Sequence, residues 1–290
     1  MTTLSQILKQ VQELELIARK NAFSLLSGDY TSTIPGKGLH FHEARKYVLG
    51  EPIRMIDWNM TARLGEPYVK VFREEREREV FIAIDISSSM FTGWQDKTKI
   101  EYAQELAATI AVSTVGSRDK LGLILFNDVA VEVIKPVAGK VQLFKVLKKI
   151  LSYTNSLPLK SEFSDIRAAI HAIQKFRGRR FVIFLISDFI DHDVPEDLKY
   201  IRSIHDLSLI HVYDPFEYEY SKEIFFSAYS PEGDSTNYTI HPGSVASLQE
   251  LQGYLQHECL KYKMSFTSNS VKESVSDVLR QLFIKKKRSR

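Results

Sequence analysis

Asp85, Ser87 and Ser89 stand at alternate positions in the run Phe81-Ile82-Ala83-Ile84-Asp85-Ile86-Ser87-Ser88-Ser89-Met90. In a tight loop, D-x-S-x-S spacing turns three hard oxygen donors toward one small divalent cation. Mg²⁺ suits such a site because it keeps part of its water shell, and Mn²⁺ or Ca²⁺ shares the preference for oxygen. The apolar residues before Asp85 form a run short enough for a buried strand. Ligands of an open parallel sheet bind beyond the carboxyl ends of its strands, so Asp85 is expected at such an end with its side chain free of the core. A second run, Arg180–Ile186, is apolar after its first residue and leads into Ser187-Asp188-Phe189-Ile190-Asp191. Two strands would then bring aspartates to one sheet edge, with Asp191 and Asp193 further out. The alternative is that Asp85 and Asp188 serve only as caps for the turns after their strands.

The elements that must position these residues emerge from periodicity. Leu4, Ile7, Leu8, Val11, Leu14 and Ile17 recur at helical spacing, so residues 3–26 are expected to form an amphipathic helix docked on the main domain. Residues 27–50 turn to Gly, Ser, Thr and Pro and give no independent fold signal. Glu74–Glu79 alternates in charge and reads as a solvated extension of the strand at 80–85. Residues 98–115 predict a helix apolar on most sides. Strands at 121–126 and 129–134, joined at Asn127-Asp128, predict an antiparallel edge hairpin. Helix 140–151, helix 167–176, helix 196–205 and strand 207–213 come next. A polar-aromatic insert near 214–241 holds a hairpin around Pro231-Glu232-Gly233-Asp234. Helix 244–262, a short strand at 263–266 and helix 270–285 complete the chain. Strands alternating with helices from residue 79 onward argue for an α/β class, a doubly wound and mostly parallel sheet, at 79–290. Residues 1–78 are expected to pack on it as a helical and extended segment.

Ahead of the first of these strands lies a dense set: Arg45, Tyr47, Gly50, Arg54, Ile56-Asp57-Trp58, Thr61-Ala62-Arg63 and Tyr68-Val69-Lys70-Val71-Phe72-Arg73-Glu74. Arg54 or Arg63 paired in bidentate geometry with Asp57 beneath the Trp58 ring would make a polar network. Its role is either to tie the segment to the sheet or to bind a partner. The pattern R-x-Y-x-x-G-(D/E)-x-x-R-x-I-D-W, then A-R and V-K-x-F-x-x-E, resembles the bacterial family catalogued as domain of unknown function 58, over roughly residues 25–190. The later D-x-S-x-S is similar to the metal-ion-dependent adhesion site of von Willebrand factor A domains. That resemblance implies a von Willebrand factor A-like fold and two further donors. Ser164, in Ser164-Asp165-Ile166, aligns where a threonine is usual, and Asp188 aligns with an outer carboxylate that reaches the ion through water. Ser164 is equally placed to be an ordinary N-cap of the helix after it. The resemblance also implies a partner class, since genes of this family commonly neighbour those of MoxR-type AAA+ ATPases.

Composition bounds the remaining choices. The chain has 290 residues, 44% hydrophobic and 26% charged, as expected of one large or two modest domains. A net charge of +3 is too small to argue for nucleic acid, and its excess sits in the tail from Lys285 to Arg290. The single cysteine, Cys259, excludes an intramolecular disulfide and suits a reducing cytoplasm. No apolar run is long enough for a membrane span, and the N-terminus does not read as a signal peptide. No histidine pair or nucleophile elbow accompanies the eight histidines.

Three functions compete on these grounds. One is a non-enzymatic, metal-dependent interaction module whose ion accepts a partner's Glu or Asp. Another is Mg²⁺-dependent phosphoryl transfer from Asp85, which lacks the second aspartate two residues on, where Ser87 stands. A third, nucleic-acid binding through Lys145, Lys148, Lys149 and the tail, has no aromatic-basic platform beside it.

Overall fold

The computed structural model describes residues 4–27, 39–74, 77–93, 97–154, 164–176, 178–190, 197–216, 224–229, 235–240 and 248–288. They divide into two compact units, residues 31–77 and the remainder of the chain. The first helix belongs to the larger unit.

In the larger unit six strands form one sheet. β3 (Glu79–Asp85), β4 (Lys120–Phe126), β6 (Phe181–Ser187), β7 (Asp206–Tyr213) and β10 (Ser265–Ser270) are parallel, and β5 (Ala130–Val137) runs antiparallel at one edge. The order β10-β7-β6-β3-β4-β5 means that the chain leaves β3 in one direction and returns to its other side at β6. Such a reversal opens a crevice at the carboxyl ends of the two central strands. β3 is buried on both faces, which is why it reads as an unbroken apolar run. Val80, Ile82 and Ile84 enter one core, and Phe81 and Ala83 enter the other. Gly122 in β4 leaves room for this packing: a Cβ there would lie 2.8 Å from the Phe81 ring and 2.9 Å from the Ile134 carbonyl.

Helices cover both faces. α1 (Leu4–Ser27) buries Val11, Leu14, Ala18 and Ala22, one stripe at helical spacing, against α3 (Lys99–Gly116), α4 (Lys140–Thr154) and α8 (Val275–Arg288). α5 (Ile166–Gln174), α6 (Asp197–Ile204) and α7 (Leu248–Lys261) contribute Ile170, Ile201 and Leu255 to the opposite core. α3 starts at a capping box: Thr98 Oγ1 accepts from the Glu101 N–H at 3.3 Å, and Glu101 Oε2 accepts from the Thr98 N–H at 2.8 Å. The architecture is the expected doubly wound α/β sheet. β8 (Ile224–Tyr229) and β9 (Ser235–Ile240) pair antiparallel, and the turn expected at Pro231–Asp234 lies outside the described residues. β10 is longer than the strand expected at 263–266 and starts two residues later. Its residues Ser265–Ser270 are mostly polar, and the pairing with β7 makes the strand rather than any pattern of its own.

Residues 31–77 contain a strand that the Gly- and Ser-rich composition of residues 27–50 did not signal. β1 (Leu39–Lys46) pairs antiparallel with β2 (Tyr68–Glu74), with a register shift between Phe41 and Glu43. Between them lies α2 (Trp58–Leu64), closed by Gly65 at φ 75°. Asp57 caps α2, its Oδ1 accepting from the Asn59 N–H at 3.1 Å and the Met60 N–H at 3.3 Å. In this segment Arg45 makes a fork on Glu51, and Trp58 is exposed.

Candidate functional site

Asp85 ends β3 and Ser187 ends β6, so both stand at the reversal of strand order. Asp85 Oδ2 accepts from Ser187 Oγ at 2.7 Å and from Ser164 Oγ at 2.8 Å, and its Oδ1 accepts from the Ser87 N–H at 2.9 Å. The Ser87 and Ser89 hydroxyl oxygens lie 3.1 Å apart. Asp188 comes directly after β6, and its Oδ2 accepts from the Lys99 ammonium at 2.8 Å. Asp85, Ser87, Ser89, Ser164 and Asp188 thus converge in one hydrogen-bonded cluster, drawn from three loops. Asp191 and Asp193 lie outside the described residues.

Asp85 and Asp188 do not stand free of the core, contrary to the expectation from the strand-end position: they are 0% and 2% exposed. The serine hydroxyls and the Lys99 ammonium close around them, and a carboxylate enters a dry site only with such partners. Burial, and then the negative charge of Asp188, push Asp85 above the usual carboxylate range, although the Ser187 and Ser87 hydrogen bonds act in the other direction. Burial acts on Asp188 as well, but the Lys99 charge and hydrogen bond, with Ser89 and the Ile190 N–H, outweigh it and hold Asp188 below that range.

The capping role weighed for Ser164 is taken by its neighbour. Asp165 is the N-cap of α5, its Oδ1 accepting from the Arg167 N–H at 2.9 Å, so the Ser164 hydroxyl is left to Asp85. Sequence reasoning missed Ser187 and Lys99. Ser187 carried a signal, a hydroxyl at the end of an apolar strand directly before Asp188. Lys99 carried none, because a lysine in the first turn of a helix reads as solvated.

The donor chemistry fits a small hard cation, since every side chain in the cluster apart from Lys99 offers oxygen. Among the described residues no group of three His, Cys, Asp or Glu side chains could hold a metal. A cation here would therefore depend on serine hydroxyls, with two carboxylates at most. Cys259 takes no part: it is buried, and burial followed by the Glu258 charge pushes its thiol up to about 12.

Residues 43–234 match the family model described as "Protein of unknown function DUF58". The chain belongs to the DUF58 family. The match starts and ends later than the 25–190 expected from motifs. One relative is the "Uncharacterized protein Rv1480" of Mycobacterium tuberculosis, 29% identical over 210 residues, which are 72% of this chain and 66% of the relative. The DUF58 chain thus spans just under two thirds of that relative's length. Among solved structures, the conserved hypothetical protein BatB from Bacteroides thetaiotaomicron aligns with TM-score 0.47 and 18% identity, over 73% of this chain and 99% of that one. The SpRpn10 VWA domain aligns with TM-score 0.44 and 15% identity, over 71% and 95%. Among the described residues, no helix is long and apolar enough to cross a membrane.

Proposed function

We propose that this DUF58 chain is a non-enzymatic, metal-dependent protein-interaction module, working in the cytoplasm with a MoxR-type AAA+ ATPase or a client of one. The observation that carries the reading is the convergence of Asp85, Ser87, Ser89 and Ser164 at the strand-order reversal, with Asp188 beside them. A bound Mg²⁺ would supply an octahedral centre with coordination positions that these few donors leave open to a partner's Glu or Asp. The residues of the chain do the positioning. Ser187 and Ser164 fix Asp85, and the Ser87–Ser89 contact fixes the two loop hydroxyls. Phosphoryl transfer from Asp85 has less support, because the position two residues on is a serine hydroxyl that cannot act as the acid or base.

The test uses a MoxR-type ATPase from the same genome as bait. Capture of the chain is expected in millimolar Mg²⁺, to fail in EDTA, and to fall at least about tenfold for Ser87→Ala and Ser89→Ala, two small changes that spare the buried carboxylates. Capture that survives both EDTA and the serine changes would show that the interaction needs no metal.

A further inference from the structure

We propose that Lys99 is the residue that sets cation affinity at this centre, its ammonium competing with a divalent ion for Asp188. This role rests on the centre being a metal site, and it adds a residue to that site.

Lys99 is completely buried, and its Nζ lies 2.8 Å from the carboxylate of Asp188, which is itself buried. Lysine is almost never fully buried without a charged partner. Its place in the chain is also unusual. Lys99 is the first residue of α3, directly after Thr98 of the Thr98–Glu101 capping box, where the partial positive charge of a helix N-terminus favours anions over cations. Asp188 opposes that disadvantage. The pairing spans 89 residues of sequence and joins the start of α3 to the end of β6.

The charges then decide what the lysine does. Asp85, Asp188 and Lys99 together carry one net negative charge when all are ionised, so the ammonium neutralises half of what would attract a cation. A dication entering beside Asp188 meets that ammonium in a buried site, where water screens the repulsion of like charges poorly. The ion must either displace Lys99 from Asp188 or bind to Asp85 and the hydroxyls alone. Either way, Lys99 lowers affinity, and without an ion it keeps Asp188 compensated. The centre is thereby weak and exchangeable by construction, as suits reversible capture of a partner's carboxylate.

Calorimetric titration of Mn²⁺ into the full chain tests this with wild type, Lys99→Met, Lys99→Gln and Lys99→Arg. Removing the positive charge is expected to tighten binding by roughly tenfold or more, and Lys99→Arg to stay near wild type. Saturating Mn²⁺ should also raise the melting temperature of Lys99→Met and Lys99→Gln by more than it raises that of wild type. Lys99→Met leaves a buried carboxylate unpaired and is the variant at risk of not folding. Lys99→Gln keeps a donor toward Asp188 and stands in for it. Wild type that binds Mn²⁺ while the neutral variants bind equally or more weakly would overturn the role of Lys99 and leave the metal reading intact. Absence of binding in all four proteins would overturn both.

Discussion

Asp85 is held by three donors, yet burial and the charge of Asp188 push it toward its neutral form. A carboxyl whose pKa is raised on folding contributes stability below its unfolded pKa, and that contribution is lost as the pH rises through the folded value. At pH 7, without divalent ions, its charge therefore works against the fold. Asp85→Asn keeps the shape and an acceptor for the Ser87 N–H, and is expected to melt above wild type at pH 7. The difference should close as the pH falls to about 4, where an unperturbed carboxyl is half protonated. Asp85→Ala should do the reverse, costing about 1–3 kcal/mol, because Ser87 N–H and the Ser164 and Ser187 hydroxyls lose their acceptor. Urea unfolding of both variants across this pH range reads the two signs, and an Asn variant less stable than wild type at pH 7 would contradict a raised Asp85 pKa. Asp85, Ser87 and Ser89 were legible because they are near neighbours at a fixed spacing. Ser164, 79 residues away, was placed beside Asp85 only by the family resemblance, and no local pattern joins Ser187, 102 residues away, to it.

Register builds the surroundings of the site at the level of elements. Ile84 pairs with Ile186, so Asp85 and Ser187 are the next row across β3 and β6, and Ser187 pairs in turn with His211 on β7 and His211 with Ser268 on β10. A polar row thus crosses the carboxyl ends of four parallel strands. His211 Nδ1 lies 2.7 Å from Ser268 Oγ, while its Nε2 is buried with no hydrogen-bond partner among the described residues. Burial lowers this imidazole to about 4, although the nearby Asp188 charge favours protonation and Lys99 opposes it. Because the folded pKa lies below the unfolded value of about 6.5, the unfolded chain takes up the proton first. Stability present above pH 6.5 is then lost as the pH falls toward 4, by on the order of 3 kcal/mol for such a gap. His211→Gln should flatten the acid side of the stability profile in that window, and a variant with the wild-type slope would show that another group titrates there. The strands of this row were legible where they are apolar, as in β3 and β6. β10 was misplaced because its residues are polar and its pairing with β7 alone makes it a strand.

For the whole molecule, the doubly wound layout explains why the site is where it is. The chain reverses direction across the sheet once, between β3 and β6, and the reversal sets Asp85 beside Ser187 and Asp188. The apolar runs and their helical partners made that layout legible. In the unit at 31–77, β1 and α2 were not legible, because β1 depends on pairing with β2 and α2 on a cap from Asp57. Whether the crevice binds a divalent ion through Asp85 and serine hydroxyls is tested most directly by anomalous diffraction from crystals of the full chain grown in millimolar Mn²⁺. One Mn²⁺ peak is expected within coordination distance of Asp85, Ser87 Oγ and Ser89 Oγ, absent from Asp85→Asn crystals grown alike. Mn²⁺ peaks elsewhere on the molecule with none at these three residues would contradict it.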